Sequence, residues 1–150
     1  MKKLLLLLTL SIFAIANPMK VGDTLANITL QDQFETKQTV ANDTKTILVA
    51  YDKDISSLLK EFLLSKEGDF LSANNAVYIG DIRGMPSLIA RFFAIPKMKK
   101  YPFKILFLDE ANENFLDKKE DMITVYQLTD GKISNVSFVK TTEELENLFN

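Results

Sequence analysis

Two carboxylates and two hydroxyls lie close together in AYDKDISSLLKEF (50–62): Asp52 and Asp54, then Ser56 and Ser57. A carboxylate pair can act on a ligand or hold a cation weakly. A serine becomes a nucleophile when a base takes its proton. That base is ordinarily histidine, and the chain has 0; a lysine is the base that remains. The plainer role of Asp52 and Asp54 is at a helix start, where a carboxylate accepts free N–H groups and complements the macrodipole. Serines in such a first turn are solvated. A second cluster, Lys97, Lys99 and Lys100 in KMKK, suits a carboxylate or phosphate on a partner. It suits equally the C-terminal end of a helix, where cations complement the dipole.

The composition removes most other chemistry. With 0 cysteines there is no disulfide, no thiol catalysis and no thiolate-bound metal or cluster. Without histidine the commonest metal ligand is also missing. Five glycines form no phosphate-cradling loop, and the 11 phenylalanines fall mainly in apolar periodic segments, as core residues do. No metal site and no cofactor is expected.

The first residues are set apart from the rest. Lys2 and Lys3 precede LLLLLTLSIFAI, and Ala14-Ile15-Ala16 follows the small-x-small cleavage pattern. Residues 1–16 are therefore expected to be a secretory signal peptide, cut between Ala16 and Asn17. The apolar run is shorter than the ~20 residues a membrane span requires, and Asn17-Pro18 ends it. No membrane span is expected after cleavage. Removal leaves 16 basic and 20 acidic residues, a formal charge of −4. Mild acidity argues against a nucleic-acid binder.

The remaining chain, 17–150, reads as one domain. Residues 21–40 suggest two short strands about the turn Asp32–Glu35, with Ile28 and Leu30 alternating with polar residues. The continuous apolar run 46–51 is expected as a central strand buried on both faces. Ile55, Leu58, Leu59, Phe62 and Leu63 then give one face of a helix, with Asp54 placed to cap its start and Gly68 to close its end. A second buried strand is expected at 76–82, and a helical stripe at Leu88, Ile89, Phe92 and Phe93. A third strand is KILFL (104–108). Asp130-Gly131 joins two hairpin strands, 122–128 and 132–139. Thr141-x-x-Glu144 is a capping box for a last helix. This order calls for an α/β fold, a central mixed sheet with helices on both faces.

That order resembles the thioredoxin fold, and VGDTLANITLQDQF (21–34) resembles the opening of its peroxiredoxin (AhpC/TSA-like) branch. In that branch the active-site loop is roughly F-Y-P-K-D-x-T, followed shortly by the peroxidatic cysteine. The loop here keeps Tyr51, Lys53 and Asp54, with Ser56 for the threonine, Asp52 for the proline and Leu59 near the cysteine position. Against a C-x-x-C thioredoxin, Ser56 and Leu59 replace the two cysteines. The resemblance implies the fold without its redox chemistry. GDIRGMPSLIARFFAIPKMKKYPFKILFLD is also similar in layout to the periplasmic YtfJ-like proteins.

The resemblance further implies a cis-proline beside the loop. IRGMPSL (82–88) offers Pro86, but helical spacing follows it and too few residues separate it from Leu59. Pro102 directly precedes KILFL. Tyr101-Pro102 is therefore expected to be cis and to form, with Asp52, Asp54, Ser56 and Ser57, a groove for a ligand or partner. The expected protein is exported to the periplasm and noncatalytic, binding another protein, a peptide or a small ligand. The alternatives are an oxidoreductase-family member using a bound cofactor or another non-thiol mechanism, and a structural subunit of an envelope complex.

Overall fold

The computed structural model describes residues 17–150. The expected leader, 1–16, lies outside the described residues. Seven strands form one mixed sheet in the order β2-β1-β5-β4-β3-β6-β7. They are β1 Thr29–Asp32, β2 Lys37–Thr39, β3 Thr46–Ala50, β4 Ala76–Gly80, β5 Leu106–Phe107, β6 Ile123–Thr129 and β7 Lys132–Val139. Strands β3, β4 and β5 run parallel; β1 is antiparallel to β2 and β5, and β6 is antiparallel to β3 and β7. Every residue of β3 is buried, as its unbroken apolar run requires. The β6–β7 hairpin turns at Asp130 (φ 51°) and Gly131 (φ 73°), the left-handed pair that a tight two-residue hairpin demands.

Alternation along the strands divides the core into two layers. On one face Leu48, Tyr78 and Val125 meet Leu59 and Phe62 of helix α1 (Lys53–Leu64). Leu71 of helix α2 (Phe70–Ala73) and Leu145 of the C-terminal helix (Thr142–Asn147) close this layer. On the other face Ile47, Val49, Ile79 and Tyr126 meet Met19, Leu25 and Leu116. That second layer is extended chain, and its helical content among the described residues is the 3₁₀ turn Glu113–Phe115. The central mixed sheet is as expected, but long helices cover one face rather than both.

Local details refine other expectations. Asp52, not Asp54, caps α1: its Oδ1 accepts the Ile55 N–H at 2.9 Å. The helix closes at Ser65, before Gly68. The capping box at Thr141 and Glu144 is present as read. KILFL contributes only Leu106 and Phe107 to the sheet. A further helix spans 87–98 in three pieces, α-helical Ser87–Ile89, π-helical Ala90–Ala94 and α-helical Ile95–Met98. Pro96 has no N–H to give residue 92, and its ring crowds that carbonyl. The helix widens there, and the Ile95 N–H reaches back to the Ala90 carbonyl. The stripe expected to be core faces outward instead: Leu88, Ile89, Phe92 and Phe93 are 68, 47, 61 and 69% exposed. The half-buried side is Ala90, Ala94, Ile95 and Met98. No helix among the described residues is long and apolar enough to cross a membrane.

Candidate functional site

The C-terminal end of β3 delivers Tyr51 and Asp52 to the head of α1. A groove of 620 Å³ opens there, lined by α1, the end of β4 and the inner side of the 87–98 helix. Asp52, Ser56, Ser57 and Tyr101 line it together. Asp54 and Pro102 do not. Asp54 is exposed beside it, and Pro102 lines a separate groove of 580 Å³ with Phe34, Leu71 and Phe103. Tyr78 and Tyr101 stand between the two grooves and line both.

Every described peptide bond is trans, that of Tyr101-Pro102 included. The expected cis-proline is therefore absent, and Pro102 does not face residues 52–57. The reason is topological. KILFL pairs in parallel with β4, which separates it from β3. The neighbour of β3 on its other side is β6, and the segment ahead of β6 holds no proline. That segment is the one that meets the loop. Tyr51 donates its hydroxyl to the Asp117 carbonyl at 2.7 Å, and the Lys118 ammonium lies 5.4 Å from the Tyr51 ring centroid.

The charges of the groove are unevenly committed. Asp52 is engaged as the helix cap. Asp81 is clamped by Arg83, which donates Nε at 2.9 Å and an Nη at 2.8 Å, while its other Nη reaches Glu113 at 2.6 Å. Burial pushes the Asp81 carboxyl up, but the Arg83 hydrogen bonds and charge outweigh it, and the group titrates below the usual carboxylate range. Four lysines, Lys53, Lys60, Lys97 and Lys118, also line the groove, and none of them has a carboxylate partner among the described residues. Burial holds the Tyr51 phenol well above its ordinary value, with Tyr126 and Asp117 adding to the shift. Burial likewise pushes Tyr78 up to about 12. Both phenols stay neutral at ordinary pH and supply surfaces for stacking or hydrogen bonding. Ile82, Met85, Met98 and Ile105 supply the apolar part of the lining. No group of three or more His, Cys, Asp or Glu among the described residues can hold a metal ion.

The solved structures that resemble this arrangement share one architecture. The thioredoxin domain of a thiol-disulfide oxidoreductase from Bacteroides vulgatus superposes with a TM-score of 0.54 at 14% identity, covering 88% of this chain and 99% of that one. A peroxiredoxin-like protein from Aquifex aeolicus gives 0.55 at 11% identity, covering 90% and 88%. StoA from Bacillus subtilis gives 0.54 at 12% identity, covering 83% and 97%. The fold is thioredoxin-like. No protein-family model matches the sequence, and no curated protein does. The expected thioredoxin-like fold is thus present in a chain with 0 cysteines.

Sequence reasoning found the head of α1 and missed half of its surroundings. Lys53, Ser56, Ser57 and Lys60 follow the i, i+3, i+4, i+7 spacing of a helical face. That polar stripe, opposite the apolar one, would have marked Lys60 as a groove residue. Lys118 and Tyr78 carry no comparable local signal, because distant strands bring them in.

Proposed function

We propose that this chain is an exported, periplasmic thioredoxin-fold protein that binds rather than reacts. Its ligand is an extended peptide segment carrying acidic and apolar side chains, held in the groove at the head of α1. The observation that carries this reading is the charge inventory of the groove. Four unpaired lysines and the start of a 12-residue helix face it, while Asp52 and Asp81 are both occupied elsewhere. An anion entering there meets uncompensated positive charge over an apolar floor. Thiol exchange has no atom to act through, since the chain has 0 cysteines. A neighbour of the same fold is named a thiol-disulfide oxidoreductase; that name is not carried over to a chain without a thiol. Export is supported by the basic start, the short apolar run and Ala14-Ile15-Ala16.

Calorimetric titration with an alternating Glu/Leu decapeptide and with its Lys/Leu counterpart tests the binding. The acidic peptide should bind and the basic one should not. Lys60→Glu combined with Lys118→Glu should weaken the acidic complex at least tenfold with the fold intact. Equal binding by the double variant would refute the groove, and disulfide reduction or peroxide turnover above a no-protein blank would refute the noncatalytic role. Protein recovered from an envelope fraction should begin at or within a residue or two of Asn17; intact Met1 in the cytoplasm would refute export.

A further inference from the structure

The outer face of the 87–98 helix belongs to neither groove. Leu88, Ile89, Phe92 and Phe93 project from two successive turns, each about half exposed or more. Four large apolar side chains this close together are unusual on a solvated surface. The helix does not use them to hold itself in place: it rests on the body through its half-buried side, where Met98 meets the α1-side core. Its last turn and the residues just after it bring cations to the same end of the molecule. From Ile82 to Leu108 the sequence has no acidic residue. Within that stretch Arg91, Lys97, Lys99 and Lys100 make no ion pair with any described carboxylate. The Arg91 guanidinium lies 5.7 Å from the Phe92 ring centroid, so charge and apolar surface are adjacent. All this sits on a chain that is acidic overall, at −2 for its full length.

We propose that this face is an interfacial membrane-binding surface for anionic phospholipid. A helix lying in the plane of a bilayer buries Phe and Leu at the boundary of headgroups and acyl chains and sets Lys and Arg against the lipid phosphates. Leu88, Ile89, Phe92 and Phe93 are the inserted residues; Arg91, Lys99 and Lys100 meet the phosphates, and the long lysine stems reach up to water. A second copy of this chain fits the face less well. Pairing the two faces would bring both sets of cations together with no acidic residue between them. The bilayer offers the opposite charge and the apolar depth at once.

The test uses the chain from Asn17, which holds every described element, with sucrose-loaded vesicles. One set is phosphatidylcholine; the other is phosphatidylcholine with an equal share of phosphatidylglycerol. The protein should sediment with the anionic vesicles and not the neutral ones, and 0.5 M salt should release it. Phe92→Ser with Phe93→Ser should lower binding at least tenfold, and Lys99→Gln with Lys100→Gln should lower it while leaving the groove lysines intact. The chain has no tryptophan, so Phe93→Trp provides a single reporter whose emission should shift to the blue on anionic vesicles. Absence of sedimentation with anionic vesicles, equal binding by the serine variant, or unshifted emission would overturn the proposal. A dimer in sedimentation equilibrium that the serine variant abolishes, with no vesicle binding, would assign the face to a second copy instead.

Discussion

A carboxylate that accepts a backbone N–H at a helix start is worth ~0.5–2 kcal/mol; one that only stands in the first turn gains ~0.3–1 kcal/mol from the macrodipole. Asp52 is of the first kind, with its Oδ1 on the Ile55 amide at 2.9 Å, and Asp54 is of the second, exposed and without a partner among the described side-chain hydrogen bonds. Asp52→Ala should therefore lower the melting temperature clearly more than Asp54→Ala in parallel thermal melts. Equal losses would mean that the cap contributes nothing beyond its charge. The sequence leaves the two indistinguishable, because both residues can cap and the difference is a two-residue shift in where α1 begins. For the same reason Ser56 and Ser57 were legible as first-turn residues, while the engagement of Asp81 by Arg83 was not. That clamp depends on how the chain bends after β4.

At the scale of elements, the apolar runs and the 3.6-residue spacing were enough to find β3, β4, α1 and the hairpin, since each buries what its pattern says it buries. The two failures have one cause. Periodicity states which residues share a face and not what covers that face, so Leu88, Ile89, Phe92 and Phe93 suggest core, and Pro102 ahead of KILFL suggests a neighbour of the loop, where the fold makes them neither. A buried polar residue marks the actual position of KILFL. Gln33 is 1% exposed; it donates Nε2 to the Phe103 carbonyl at 2.9 Å and accepts the Ile105 N–H on Oε1 at 2.9 Å. Its amide acts as one extra rung of backbone pairing ahead of β5. Gln33→Ala would leave both backbone groups without a partner in a dry site, a loss of about 1–3 kcal/mol for each group left unsatisfied. Urea denaturation should show a fall of at least that size, with Gln38→Ala as the mild control; a loss under about 0.5 kcal/mol would mean that water replaces the amide.

The whole molecule should have an unusually flat pH response in the middle of the range. With no histidine, no side chain at its ordinary value titrates between about pH 5 and 7. Asp81 and Glu144 both titrate below the usual range, Asp81 through Arg83 against the effect of its burial, and Glu144 through the Lys140 amide first. Their unfolded forms bind protons more readily, so their contribution is present above about pH 4 and is lost as pH falls further. Tyr51, Tyr78 and Tyr126 have raised phenols, the last two to about 12, chiefly through burial. Their contribution holds below about pH 10 and is lost as pH rises towards 12. Melting temperature against pH should trace a plateau that falls at both ends, and a step between pH 5 and 7 would contradict this. Among the described residues, meanwhile, the sheet's ladder is continuous between β1 and β4 through Leu106 and Phe107 of β5. Rungs are plentiful on the far side, where β3 pairs along its length with β4 and with β6. The β1–β2 hairpin thus joins the ladder by a short seam, reinforced by the Gln33 amide and by the burial of Ile28, Leu30 and Val40 in the second core layer. Under native conditions it should open as a separate cooperative unit while the β4-β3-β6-β7 body stays closed. Deuterium would then reach the amides of Leu30 and Val40 well before those of Leu48 and Val125, whose release requires the whole chain to unfold.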